Sequence, residues 1–281
     1  MTEGLRFENL LPNPPAVLTV FADGNVESYE TVLPAGAGLI EVINADGINY
    51  VDFGIPTRID LMDADPNFDA EFGLLSYSGS NTAFLTNTAY QQSLTQFSGT
   101  LFLVNSALQG TGIQTQIGGT SSGQASTVIG SDAIIEIAGP AGSRGVRSFA
   151  DILTTNSSAN VVLAPRSTLM VTGDAAQGAV AEVYAATGDA DVVADGAVSV
   201  VGANGAYAQY GVYAYSAGGA ATVNVGGTVD LSPGTGTVPL SPTGSSAVRA
   251  VSESATSAAT VMLGAAATVT AAGQQVFGLQ A

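Results

Sequence analysis

The sequence predicts an all-β chain wound into a parallel β-helix, about 33 residues per coil, preceded by a β-rich cap. Two observations predict it. A small residue followed by a β-branched one recurs, with aliphatic anchors at Ile113, Val146, Val180, Val212, Val248 and Val276, spaced by 33, 34, 32, 36 and 28 residues. Each period also holds three short apolar segments, with β-branched or aromatic residues at alternate positions and Gly, Asn, Asp or Ser between them. That is the pattern of strands and turns, not of helices.

The first segment of the period runs Gly112-Ile113-Gln114-Thr115-Gln116-Ile117, and later Gly145-Val146-Arg147, Ala179-Val180-Ala181, Gly211-Val212-Tyr213 and Ala247-Val248-Arg249. The second begins at Val128, Val162, Val192, Val223 and Val261 and ends in a Gly or Ala turn. The third is Ile135-Glu136-Ile137, then Leu169-Met170-Val171, Val198-Ser199-Val200, Val229-Asp230-Leu231 and Val269-Thr270-Ala271. One such period cannot bury its apolar face alone. Stacked, each strand pairs with its equivalent one coil on, ~4.8 Å away, and the coil itself supplies the crossover that parallel pairing needs. The proline-bearing stretch 232–244 accounts for the 36-residue spacing and is expected as an exposed loop, since proline cannot serve a central strand. An antiparallel sandwich of short strands is the alternative.

The residue inventory narrows the chemistry. The 281 residues include no Cys, His, Trp or Lys, and six Arg face 23 carboxylates for a formal charge of −17. Such a surface repels phosphate backbones and anionic lipid, so no nucleic-acid partner is expected. No apolar run reaches the length of a transmembrane helix, so no membrane insertion is expected of this part of the chain. Ser–His and Cys–His pairs, the usual zinc and iron sites, Schiff bases and the phosphate-loop lysine all lack their residues. The start, Met1-Thr2-Glu3-Gly4, lacks the features of a signal peptide, and the end, Val276 to Ala281, stops inside an apolar pattern. Both ends therefore read as cuts in something longer.

Two regions are expected. Residues 1–99 hold 13 of the 23 carboxylates and show no regular period, so they read as an acidic β-rich cap or small domain. Residues 100–281 carry the coils.

Pieces such as Tyr210-Gly211-Val212-Tyr213-Ala214, Ala221-Thr222-Val223-Asn224-Val225-Gly226-Gly227-Thr228-Val229 and Val276-Phe277-Gly278-Leu279 give the C-terminal 170 residues their likeness to a known group. They resemble the passenger domains of bacterial autotransporters, the type V secretion family. The resemblance implies a right-handed parallel β-helix, export across the outer membrane, and a role at the cell surface or outside it, in adhesion or self-association.

Three clusters are candidate sites. Asp189 and Asp191, with Asp195 nearby, are the best carboxylate pair, because residues two apart on a strand share a face. Read plainly, they are a solvated turn. In the acidic run Asp60 to Glu71, Asp63, Asp65 and Asn67 match the first three ligand positions of a calcium loop, and Asp69 could continue the set. The match stops there, with Phe68 where glycine is wanted and Leu74 where the bidentate glutamate belongs. The third cluster is Tyr184, Tyr207, Tyr210, Tyr213 and Tyr215, of which Tyr213 and Tyr215 alternate onto one face. Stacked near Tyr184 of the previous coil, they would form an outward aromatic ladder, able to bind sugar rings or protein, or simply to stabilise the sheet.

The expectation is a non-enzymatic extracellular stalk with no cofactor, whose partners are copies of itself or a cell-surface protein or glycan. Two alternatives remain open: a surface-layer or extracellular-filament subunit bridged by Ca²⁺, and a polysaccharide-active β-helix enzyme built on Asp189 and Asp191.

Overall fold

A computed structural model describes residues 3–8, 17–23, 26–32, 39–44, 48–53, 57–62, 72–78, 91–104, 110–118, 122–151, 156–202, 209–232, 244–272 and 276–281. In the strands before Ser93 it describes backbone paths and the side chain of Leu74. All the regular structure among these residues is strand.

Three strands make a coil, and equivalent strands stack into three sheets. The first sheet holds β1 (Glu3–Glu8), β2 (Val17–Asp23), β5 (Ile48–Phe53), β8 (Gln91–Phe97), β11 (Gly123–Ile129), β14 (Ser157–Leu163), β17 (Ala190–Ala194), β20 (Ala221–Val225) and β23 (Ala259–Leu263). The second holds β3 (Val26–Val32), β4 (Leu39–Asn44), β7 (Phe72–Ser78), β10 (Thr111–Ile117), β13 (Arg144–Ala150), β16 (Gln177–Val183), β19 (Tyr210–Ser216), β22 (Ser245–Ser252) and β25 (Val276–Gln280). The third holds β6 (Thr57–Met62), β9 (Gly99–Val104), β12 (Ile134–Ala141), β15 (Thr168–Asp174), β18 (Ala197–Val201), β21 (Thr228–Ser232) and β24 (Thr268–Ala271). From β4 onward every ladder is parallel, so the chain is a parallel β-solenoid and the sandwich alternative is excluded.

Antiparallel pairing is confined to the N-terminal end, where β1 pairs with β2, β2 with β5, and β3 with β4. These strands occupy two sheet edges that the first coil would otherwise leave open, which is the role of a solenoid cap. The coils themselves reach back past residue 100, because β4, β5 and β6 already stack in parallel beneath β7, β8 and β9. The 99/100 division therefore falls inside the stack.

The register sharpens the repeat and corrects two of its anchors. On the second sheet Ile113 aligns with Val146, Ala179, Val212, Val248 and Leu279. Ala179 replaces Val180 and Leu279 replaces Val276, so the spacings become 33, 33, 33, 36 and 31. The 36-residue coil carries its extra length between β21 and β22; most of that stretch, 233–243, lies outside the described residues.

The interior follows from strand alternation. Leu101, Ile135, Leu169, Val198 and Val229 form one inward ladder on the third sheet, each essentially sealed from solvent. Burying a side chain of this kind contributes about 1.5–3 kcal/mol. The earlier coils place hydroxyls inside as well. Thr127 Oγ1 lies 2.7 Å from Thr115 Oγ1 and 2.9 Å from Ser148 Oγ, and Thr115 donates to Thr95 at 2.8 Å. Ser148 also reaches the Asn160 carbonyl at 2.7 Å, so the buried hydroxyls form a connected string. Further along, the Thr115 and Ser148 positions become Ala181, Ala214 and Ala250, and the interior there is apolar.

One corner requires glycine. Gly112, Gly145, Gly178 and Gly211 occupy the same point of successive coils, just before the aligned aliphatic position. A Cβ on Gly178 would lie 2.3 Å from the Gly211 carbonyl oxygen and 2.6 Å from Val198 Cγ1. The coil is closed so tightly there that a methyl group meets both the next coil's backbone and the facing sheet. In the last coil the interior is less covered, and Met262, Leu263, Phe277 and Leu279 are exposed.

Candidate functional site

The outward face of the second sheet gathers groups that are scarce elsewhere. Outward positions fall into three rows that cross the strands. Arg144, Gln177, Tyr210 and Ser246 align in the first, and Arg147, Val180, Tyr213 and Arg249 in the second. Phe149, Glu182, Tyr215 and Val251 align in the third. Of the four Arg after residue 100, this face takes three, Arg144, Arg147 and Arg249; the fourth, Arg166, lies on a turn between the first and third sheets.

The rings pack as a surface. Tyr210 and Tyr213 stack with centroids 4.7 Å apart and planes 17° from parallel. Tyr184 lies 5.0 Å from Tyr215 and 5.6 Å, edge-on, from Phe149, and Tyr213 to Tyr215 is 6.5 Å. Such pairs contribute about 0.5–1.5 kcal/mol each beyond the area they bury. The expected aromatic ladder is therefore present for Tyr184, Tyr210, Tyr213 and Tyr215, while Tyr207 lies outside the described residues.

The guanidinium groups are set into this surface. Arg147 lies over the Phe149 ring at 4.1 Å and donates from Nε to Glu182 Oε2 at 2.7 Å. Arg249 lies over Tyr210 and Tyr213, at 5.4 and 5.9 Å, and donates from Nη1 to the Tyr210 hydroxyl at 2.8 Å. Its Nε is buried without a hydrogen-bond partner in the structure. Arg144 donates from Nε to Gln177 Oε1 at 2.9 Å. Among the described residues, Arg147 alone of the three is ion-paired with a carboxylate.

Val180 explains the slip of the repeat anchor. It points outward, between Arg147 and Tyr213 in register, yet is 0% exposed and stands apart from the interior cluster. A β-branched residue there mimics a core position in the sequence because the face carries a small apolar layer of its own.

Burial governs the protonation of this face. It raises the Tyr184 phenol, with the Glu182 charge adding to the effect. Burial raises Tyr213 strongly, and it raises Tyr215 to about 12, with the Glu253 hydrogen bond assisting. Burial lowers Arg144, and the Arg147 charge acts in the same direction. The rings are thus held neutral beside cations.

The other candidates fare differently. Asp189 Oδ1 accepts the Ala220 N–H at 2.8 Å, so that carboxylate caps the turn of the next coil. Asp191 faces outward from the first sheet beside Thr222; burial raises its carboxyl, against a lowering hydrogen bond from Thr222. Asp195 lies at the following corner, where its Oδ1 packs closely on Gly226. The calcium-loop residues Asp63, Asp65, Asn67 and Asp69 lie outside the described residues, and no cluster of three or more acidic groups fit to hold a metal occurs among those that are described.

Sequence reasoning found the tyrosines and missed the arginines. The signal was there: Arg147, Tyr213 and Arg249 each directly follow an anchor valine. No family model, curated protein or solved structure matches the chain.

Proposed function

We propose that the chain is a non-enzymatic β-helical stalk of an exported bacterial surface protein, acting in adhesion or self-association through the arginine–tyrosine face. The observation that carries this reading is the concentration of three cations and five rings on one wall of a chain whose formal charge is −17. Stacked aromatics with set-in arginines are the composition of protein contact surfaces. A solenoid suits the task because each coil adds a strand to a flat wall, so side chains far apart in sequence line up at coil spacing. The resemblance to autotransporter passengers supports the surface setting.

The test combines adhesion and assembly. The purified chain is applied to cells and its sedimentation is followed over a concentration series. Binding or assembly that drops in Tyr213→Ser is expected. A monomer at every concentration that adheres to nothing would remove the proposal, as would turnover of a glycan that is lost in Asp189→Asn.

A further inference from the structure

The face also specifies what kind of ligand it takes. We propose that it binds an acidic polysaccharide, a hexuronate polymer lying across the strands along the stacking direction. The inference deepens the adhesion reading and rests on the same wall.

Three observations lead to it. First, Arg144 and Arg249 are the cations of the face that lack a carboxylate partner among the described residues, and Arg249 Nε has no hydrogen-bond acceptor at all. A guanidinium has five N–H donors in a planar fork that matches a carboxylate. Second, Arg144 is on β13 and Arg249 on β22, three coils apart, which is roughly 14 Å at the strand spacing of a sheet. Third, the wall between them is Gln177, Tyr210 and Tyr213: an amide able to hydrogen-bond hydroxyls, and a paired ring platform for the apolar face of a sugar. The charged groups facing this ground are Glu182, neutralised by Arg147, and Glu253, which bonds Tyr215 at the rim.

Charge density separates this ligand from a nucleic acid. Duplex DNA carries one charge per ~1.7 Å of axis, and a chain at −17 repels it. A polyuronate carries one charge per sugar, so two unpaired arginines match a short stretch of it. An acidic protein could meet the arginines but would leave the ring platform without a sugar face to stack on.

The experiment measures retention of the whole chain on immobilised polygalacturonate at physiological ionic strength, with dextran and polyglutamate as comparisons. Retention on polygalacturonate above both is expected. Arg144→Gln with Arg249→Gln should weaken it by about a hundredfold, roughly tenfold for each charged hydrogen-bonding group removed. A second variant, Arg144→Lys with Arg249→Lys, keeps the charge and loses the fork; it should fall between the two, and it carries the test if the glutamine variant does not fold. No retention on polygalacturonate, or retention unchanged in the variants, overturns the proposal. Equal retention on polyglutamate also overturns it, in favour of a protein ligand. Cell adhesion that persists without polygalacturonate binding leaves the stalk reading standing and removes the glycan alone.

Discussion

Gly178→Ala should destabilise the solenoid, and the same change at Gly278 should not. At Gly178 the added methyl would be placed 2.3 Å from the Gly211 carbonyl oxygen and 2.6 Å from Val198 Cγ1. The first obstacle is backbone in a hydrogen-bonded ladder, and the second is a sealed core side chain on the facing sheet. Neither can move without disturbing a neighbouring coil, so the strain belongs near the upper end of overpacking, about 3 kcal/mol. Removing a glycine stiffens the unfolded chain and offsets about 0.4–1 kcal/mol of that. The net loss is about 2 kcal/mol, a drop of roughly 4–8 °C in Tm for a chain of this size. Gly278 falls at the equivalent point of β25, where its Cβ would meet nothing within 4 Å. There only the unfolded-state term remains, and the Tm should hold or rise slightly. Thermal unfolding followed by circular dichroism reads both. Two equal melting curves, or Gly278→Ala as damaging as Gly178→Ala, would refute the steric account of the glycine column.

Other perturbations test other parts of the frame. Thr127→Val removes the middle of the buried hydroxyl string and should cost about 1 kcal/mol in denaturant titration, whereas a gain would mean the string is dispensable. Arg166→Gly should leave the melting midpoint unchanged. The Arg166–Asp132 pair is fully exposed although bidentate, at 2.8 and 2.7 Å, and Arg166 holds φ 67, a conformation glycine adopts freely. Alkali should unfold the chain through its tyrosines. An acid whose folded pKa is raised stays neutral in the native state while the unfolded chain ionises, so stability is intact below the ordinary tyrosine value of 10 and falls as pH climbs toward about 12 at Tyr215. A midpoint that is flat over that window, or a slope identical in Tyr215→Phe, would count against it.

The third-sheet strands were legible in the sequence position by position: Ile135, Leu169, Val198, Val229 and Val269 are both the quoted segments and the observed ladder. Branched aliphatics that face a closed core leave no other reading. The second sheet was legible with a slip, since Val180 is β-branched and buried but on the outside. The early coils stayed hidden for two reasons. Their lengths vary, with 34 residues from Ile40 to Leu74 and 39 from Leu74 to Ile113. Their interior positions at Ser93, Thr95, Thr115 and Thr127 are hydroxyls, which erase the apolar alternation that marks a strand. Of the candidate site, Tyr213 and Tyr215 were visible because alternation alone puts them on one side. The arginines were not, because their significance arises from coils being brought side by side.

The outward placement of Val180 ties recognition to folding. Arg147 and Tyr213 shield that valine from water as well as offering contacts, so a change at either alters the rod's stability along with its affinity. Variants of this wall that trade one ligand for another would then be filtered first by whether they still keep Val180 dry. Loop length at the corners, by contrast, already ranges from 31 to 36 residues per coil with the stack intact, and new specificities would evolve there more freely than on the flat face.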